Sequence, residues 1–188
     1  MLEQEQQAFL LDTLKKLLGQ DSPSGFTHKA TALAKDIAEG LGFEAWLTNK
    51  GNLVVKVPGR EAGRTVGLCA HVDTLGLMVR SVTADGMLMV TKVGGPLMPT
   101  LSPAVHVQDD AATRPRDEKN MAVRIDEKVR TKADVEALGI AAGDYVCYDP
   151  KTVVTESGFV KSRFLDDKAS SACLLTLLWR MHATGMRP

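Results

Sequence analysis

Several features that would place this chain in a common class are absent or scarce. Lys+Arg and Asp+Glu are equal, at 23 each among 188 residues, so no net charge draws the chain to nucleic acid or to an anionic membrane. Aromatic residues make up only 5%, which argues against a base-stacking surface. The longest apolar stretch lies within 169–179 and is too short to span a bilayer. We therefore expect neither a nucleic-acid nor a membrane partner.

Cysteines and targeting signals are equally sparse. The three cysteines, Cys69, Cys147 and Cys173, are odd in number and form no Cys-x-x-Cys pair, which predicts reduced thiols in the core and a reducing compartment. Residues 1–7 are acidic and polar, unlike a secretory signal. Since 44% of the residues are hydrophobic, the sequence predicts a soluble, cytoplasmic, globular chain.

Two motifs that would assign a common enzyme class are also missing. No Gly-x-Ser-x-Gly elbow is present, so a serine hydrolase of that type would lack its nucleophile. The Asn49-Lys-Gly-Asn turn lacks the spacing of a phosphate-binding loop. Any hydrolytic chemistry must therefore come from other residues.

Hydrophobic periodicity predicts an α/β chain with a β-rich middle. Helical spacing covers 4–18 and about 27–42, a helical stripe follows 168, and a short helix runs from Thr131 towards Gly139. Strands are predicted at 44–48, 53–57, 65–70, 77–82, 87–93 and 123–126, with further candidates at 143–148 and 158–161. This order predicts three parts: a mixed α/β segment at 1–75, a β-rich insertion at 76–160, and a return to the first domain at 161–188.

Two short motifs flank the predicted insertion and carry the candidate chemistry. His71 and Asp73 follow the predicted strand 65–70, and at i and i+2 they would share one face. Asp166 and Asp167 open the last helix. Imidazole and carboxylate are ligands of zinc or cobalt, and a carboxylate suits the bridge between two ions about 3.5–4 Å apart. We predict that His71 binds a metal, Asp73 orients its ring, Asp166 bridges two ions, and Asp167 supports them.

Each motif alone has a plainer interpretation. A surface hydrogen-bonded pair explains many His-x-Asp triplets, and acidic residues favour helix N-termini in any case. His28 and His182 are expected at the surface, and His106 in a structural position. Because each metal needs roughly four ligands, the four residues named above cannot supply two complete sets.

Taken in order, several motifs resemble the metallopeptidase family 42 aminopeptidases, which include glutamyl and deblocking aminopeptidases and proteins labelled endoglucanase M. They are Asp21-Ser-Pro-Ser-Gly, Asn49-Lys-Gly-Asn-Leu, Ala70-His-Val-Asp-Thr-Leu-Gly-Leu-Met-Val and Arg163-Phe-Leu-Asp-Asp-Lys-Ala. The stretch beginning at Glu136-Ala-Leu-Gly-Ile also resembles that family's inserted domain.

The resemblance implies a phosphorylase-like α/β/α peptidase domain, incomplete here and interrupted by a β-rich domain that drives homo-oligomerisation. It implies a site for two divalent ions, zinc or cobalt, and peptide substrates. His71 and Asp166 would be metal ligands, Asp73 the catalytic residue that orients His71, and Asp167 a supporting residue joined to Asp166 by a strained peptide bond. The family's general base, a Glu of a Glu-Glu pair, and a further Asp and His would lie downstream.

Departures from the family pattern leave alternatives open. The downstream residues are not among the 188, the insertion looks short near Leu101 and Ser102, and Thr74 stands where the family often has Glu. The leading expectation is the N-terminal portion of a metal-dependent aminopeptidase, inactive or nearly so by itself. A non-catalytic assembly module and a related two-metal carboxypeptidase or amidohydrolase are the other hypotheses.

Overall fold

The computed structural model describes residues 2–61, 63–96 and 122–188, together with positions 115, 117 and 120. The helices within them are α1 (Leu2–Leu18), α2 (His28–Gly40), α3 (Lys132–Ala137) and α4 (Leu165–Thr184). The strands are β1 (Glu44–Leu47), β2 (Leu53–Lys56), β3 (Gly76–Val82), β4 (Leu88–Val93), β5 (Ala122–Val123), β6 (Tyr145–Val146), β7 (Val153–Val154) and β8 (Val160–Lys161).

The chain divides into two compact units. Unit 1 comprises Met1–Thr74 with Asp149–Pro188, and unit 2 is Leu75–Tyr148. The sequence-based boundaries were 75/76 and 160/161, so the hairpin of β7 and β8 falls in unit 1 rather than in the middle segment. Both motifs that carry the candidate chemistry lie in unit 1.

Unit 1 is built on the packing of α1 against α4. Helix α1 has acidic residues in its first turn and Lys15 and Lys16 in its last, which suits the helix dipole. Its leucines recur at helical spacing, and Leu17 is fully buried. Phe9 stacks on Trp179 of α4, with ring centroids 5.7 Å apart. The core formed by α1, α2 and α4 contains Leu14, Leu17, Leu18, Ala34, Ala38, Phe43, Ala172, Leu175, Leu178 and Met181.

Two hairpins complete unit 1. Strands β1 and β2 pair antiparallel, with Glu44 opposite Lys56 and Leu47 opposite Leu53. Gly51 in their connection has a φ of +79°, a left-handed conformation that glycine adopts without steric cost. Strands β7 and β8 also pair antiparallel and lead directly to α4. The strands predicted at 44–48 and 53–57 are therefore present and pair as a hairpin.

Unit 2 is a four-stranded antiparallel sheet in the order β5-β4-β3-β6. A register shift between Val79 and Ser81 interrupts the β3–β4 ladder. One face of the sheet packs its valines and leucines around Val135 of α3, which is fully buried. Helix α3 begins with a capping box in which Thr131 accepts from the Asp134 backbone and Asp134 accepts from Thr131. The backbone N–H of Arg130 and the Thr131 side chain lower the pKa of Asp134.

The prediction of a buried strand at 65–70 is wrong in this structure. Residues 64–70 form no strand, and the side chains of Val66 and Leu68 are 71% and 65% exposed. A strand needs a neighbour to receive its backbone hydrogen bonds, and no described segment pairs with these residues. The apolar side chains of this segment therefore remain exposed.

Other sequence-based expectations also need correction. The cysteines carry no disulfide, but Cys69 and Cys173 are exposed and Cys147 is half-buried, so their predicted place in the core is wrong. Cys69 belongs to the unpaired segment, which accounts for its exposure. No helix in the described ranges is long and apolar enough to cross a membrane. His106 and the expected gap near Leu101 and Ser102 lie outside the described residues.

Candidate metal centre

Three segments of unit 1 meet at the candidate site. The loop at 20–25 follows α1, residues 71–74 follow the unpaired segment, and Asp166 to Lys168 open α4. Pro23 and Thr74 form a parallel bridge, in which the Thr74 N–H donates to the Ser22 carbonyl at 2.8 Å and the Ser24 N–H donates to the Thr74 carbonyl at 3.1 Å. The first two segments are therefore joined through main-chain atoms.

The two ring nitrogens of His71 face two different carboxylates, that of Asp73 at Nδ1 and that of Asp166 at Nε2. Its Nδ1 lies 3.1 Å from Oδ1 of Asp73 and 3.3 Å from the backbone oxygen of the same residue. A backbone carbonyl and an ionised carboxylate only accept hydrogen bonds, so both partners on this side of the ring suit a proton on Nδ1. With its single proton on Nδ1, the neutral ring would offer the Nε2 lone pair to a metal ion.

Asp166 lies on the Nε2 side of the ring. Its Oδ1 lies 3.2 Å from Nε2 of His71, and its side chain is 94% exposed. Two ligands of one tetrahedral zinc ion, each about 2.0–2.1 Å from the metal, stand roughly 3.3 Å apart. The separation and the chemistry of these two atoms therefore fit a shared divalent ion.

Asp167 is turned towards the main chain rather than towards the imidazole ring. Its Oδ2 accepts from the backbone N–H of His71 at 3.3 Å. The pKa of Asp167 is lowered first by the Ser170 hydroxyl and then by this N–H, both of which donate to the carboxylate. Ser171 adds a hydrogen bond from its hydroxyl to the His71 carbonyl at 3.1 Å. Both the backbone N–H and the backbone carbonyl of His71 are therefore hydrogen-bonded to side chains of α4.

The backbone at the start of α4 sets the directions of these two carboxylates. Asp166 and Asp167 have non-helical backbone angles, with ψ of 107° and 28°, so regular helix begins after them. The peptide bond between them is cis. The predicted location of the pair at the helix start agrees with this geometry.

Sequence reasoning missed three residues that hold the site. Lys168 is 1% exposed, and its Nζ donates to the Gln20 carbonyl at 2.7 Å. The Ser22 hydroxyl donates to the Val72 carbonyl at 2.7 Å, and the Ser24 hydroxyl donates to Oδ2 of Asp73 at 2.5 Å. The sequence marked 21–25 only as a turn and as part of the resemblance. Its two serines, flanking a proline, were the available signal.

The remaining histidines of the described chain lie elsewhere. His28 makes an edge contact with Phe26, with ring centroids 4.5 Å apart, and His182 is exposed near the end of α4. Across the described ranges, no group of three or more His, Cys, Asp or Glu side chains is arranged to hold a metal ion. The donor set therefore fits a metal ion with two ligands, His71 and Asp166, and is incomplete.

The family model of the M42 glutamyl aminopeptidases matches residues 51–104 and 98–187 of the sequence. The chain belongs to the M42 peptidase family. Both motifs of the candidate site lie inside the matched ranges, as does the whole of unit 2. The predicted family resemblance is confirmed.

Individual M42 relatives agree with this membership. The Bacillus subtilis protein YhfE, named as an aminopeptidase, is 36% identical over 190 residues, covering 89% of this chain and 55% of its own length. The crystal structure of a TET aminopeptidase from a Thaumarchaeota archaeon matches with a TM-score of 0.81 at 19% identity, covering 95% of this chain and 55% of that one. The Pyrococcus horikoshii TET1 peptidase matches with a TM-score of 0.69 at 20% identity, covering 88% and 54%.

Two conclusions follow from these matches. The predicted α/β fold class is confirmed, because M42 peptidase structures with the phosphorylase-like fold superpose on nearly the whole chain. The chain spans about half the length of the M42 relatives it matches.

Proposed function

We propose that this chain supplies the His71–Asp166 part of the metal site of an aminopeptidase that removes N-terminal residues from peptides. The observation that carries the proposal is the 3.2 Å separation of Nε2 and Oδ1, with Nδ1 turned towards the oxygens of Asp73. Membership of the M42 glutamyl aminopeptidase family supports the reaction class. A complete site would hold two divalent ions, zinc or cobalt, with Asp166 proposed as a ligand of both.

Each residue has a role that its surroundings favour. The chemistry supplied by bound ions is polarisation of the peptide carbonyl and a water molecule that loses its proton near neutral pH. Asp73 would accept a hydrogen bond from Nδ1 of His71 when Nε2 binds a metal ion, and Asp167 holds the main chain of His71. No glutamate occurs in residues 169–188, so those residues contain no general base of that type. We expect the 188 residues alone to bind a divalent ion without turning over peptides.

The proposal is tested on the native protein purified from its source. Intact mass and the reading frame beyond the codon for Pro188 give the length of the polypeptide, and metal analysis gives its ions. We expect release of N-terminal residues from peptides with a free amino group, slow or absent release from N-acetylated peptides, and loss of activity on chelation with recovery in Zn²⁺ or Co²⁺. Activity that survives complete metal removal would refute the proposal. Fractionation of the source cells tests the predicted cytoplasmic location.

A second candidate function is assembly, with unit 2 as the interface between copies. The β-rich Leu75–Tyr148 forms a separate compact unit with its own core, and the Pyrococcus horikoshii TET1 peptidase assembles into a tetrahedron or an octahedral shell. The same unit would serve a homo-oligomeric peptidase or a non-catalytic member that joins complete subunits.

Assembly is tested by light scattering coupled to size exclusion. We expect an oligomer that persists in chelator, since the metal ligands lie in unit 1. The exposed Val66 and Leu68 offer a competing route to association through unit 1, so a Val66→Ser, Leu68→Ser variant serves as the control. An oligomer that dissociates in that variant, or on metal removal, would contradict assembly through unit 2.

A further inference from the structure

We propose that Ser171 is a positioning residue, whose hydroxyl holds the main chain of His71 against α4 and thereby keeps the His71 ring beside Asp166. Its consequence for metal binding rests on the proposed function, whereas the position of His71 is a property of the metal-free chain. The carrying observation is that the Ser171 hydroxyl lies 3.1 Å from the His71 carbonyl oxygen, although the two residues are 100 positions apart in the sequence.

The main chain that carries His71 is held by side chains. Among the described residues from 63 to 73, no backbone N–H or carbonyl is hydrogen-bonded to another backbone group, and the first such bonds after this stretch are those of Thr74. The Ser22 hydroxyl donates to the Val72 carbonyl, and α4 supplies a partner for each polar group of the His71 backbone. Each of these contacts therefore restricts His71 more than it would in a strand, where ladder hydrogen bonds already fix the backbone.

Helix α4 carries Asp166 and also both groups that hold the His71 backbone. Oδ2 of Asp167 accepts from the His71 N–H at 3.3 Å, and one turn later Ser171 donates to the His71 carbonyl at 3.1 Å. Asp166 places its Oδ1 3.2 Å from Nε2 of His71. Two contacts on either side of one residue restrict the rotation of its main chain, whereas a single contact would act as a pivot. The distance between the two candidate ligand atoms is therefore set through α4.

Ser171 occupies a buried position of a largely apolar helix. It is 8% exposed, and its neighbour Ala172 is fully buried in the core of unit 1. A buried hydroxyl without a partner costs free energy, so a serine suits this position only because acceptors are at hand. A helical serine commonly donates to the carbonyl four positions earlier, here that of Asp167, which lies at 3.3 Å. The His71 carbonyl is the nearer acceptor, at 3.1 Å, and receives the proton in our proposal.

Loss of the Ser171 hydroxyl should release one side of His71 and leave the other side attached. In Ser171→Ala, Asp167 would still accept from the His71 N–H, and Ser22 would still hold the next carbonyl. The ring would then sample positions away from Asp166 without detachment of the whole segment. Residues beyond a metal ligand that orient it typically change affinity 10–100-fold when they are lost. Because the N–H contact remains, we expect an effect near the lower end.

The experiment compares the wild-type chain with Ser171→Ala and Ser171→Thr, first without metal. The carbonyl carbon chemical shift of His71 reports the hydrogen bond, and the heteronuclear NOE of its amide reports backbone motion on the ps–ns timescale. We expect both to change in Ser171→Ala and to return to wild-type values in Ser171→Thr, which retains the hydroxyl. Calorimetry with Zn²⁺ alone should show about 10-fold weaker binding for the alanine variant and recovery in the threonine variant.

Thr176→Val is the matched control, because Thr176 is also buried in α4 and its hydroxyl donates to the Ala172 carbonyl within the helix. It should alter thermal stability without changing the His71 signals or the affinity for Zn²⁺. Wild-type His71 signals in Ser171→Ala would overturn the inference and would show that the hydroxyl donates only to the Asp167 carbonyl. Equal changes in Ser171→Ala and Thr176→Val would also overturn it, since they would reflect a general loosening of α4. A wild-type chain that does not bind Zn²⁺ would refute the proposed function, whereas the metal-free comparison would still test Ser171.

Discussion

Replacing His71 by alanine is expected to weaken Zn²⁺ binding to this chain by more than about 100-fold, beyond the range usual for loss of an outer partner. The reason is that Nε2 of His71 is one of only two suitable donors that the described residues bring together. Asp166→Asn should have a comparable effect, because it removes the negative charge of the other donor and nearly preserves the shape of the side chain. Isothermal titration with Zn²⁺ measures both.

Matched controls separate this result from a general loss of charge or of imidazole. His182→Ala removes an exposed histidine near the end of α4, and Asp36→Asn neutralises an exposed carboxylate on α2. Both should bind Zn²⁺ as the wild type does. If His71→Ala retains wild-type affinity, the 3.2 Å contact is an ordinary exposed ion pair, of the kind that contributes at most about 1 kcal/mol.

Local patterns were sufficient to predict the described helices, the paired strands β1 and β2, and the paired strands β3 and β4, but not strand β7. Helix α1 forms where leucines recur at helical spacing before a glycine, and helix α3 begins at its predicted cap, Thr131. These signals depend on residues a few positions apart, which sequence periodicity reports well. The two site motifs were found for the same reason, since each is a short run of polar residues beside an apolar one.

Contacts between distant segments could not be predicted in this way. The strand expected at 65–70 requires a neighbouring strand that the described chain does not supply. The apolar side chains of this segment are therefore exposed. In the sequence, Lys168 marks only the polar boundary of an apolar helix. In the structure, its ammonium donates to the carbonyl of Gln20, 148 positions earlier. The sequence indicates only a turn at Ser24, but its hydroxyl donates to the carboxylate of Asp73, 49 positions later. Such pairings depend on how the segments meet in space, which composition and periodicity do not encode.

Lys168 is the residue from which we expect the largest loss of stability at the site. Lys168→Met retains most of the buried stem and removes the ammonium that donates to the Gln20 carbonyl. A hydrogen bond from a charged group contributes about 1.5–3 kcal/mol, and the carbonyl would lose that donor. We therefore expect the free energy of unfolding to fall by about 2–3 kcal/mol, which lowers Tm by roughly 4–12 °C in a chain of this size. Denaturant and thermal unfolding measure the two quantities.

Lys15→Met on the exposed face of α1 is the matched control and should change stability by less than about 0.5 kcal/mol. Because Gln20 opens the loop that bears Ser24, the Lys168→Met effect should also be coupled to Ser24→Ala. A double-mutant cycle should give a coupling energy above about 0.5 kcal/mol, as found for residues that share one network. Wild-type stability in Lys168→Met would contradict the role of this lysine in anchoring the loop. Strict additivity with Ser24→Ala would show that the lysine stabilises the unit without positioning Asp73.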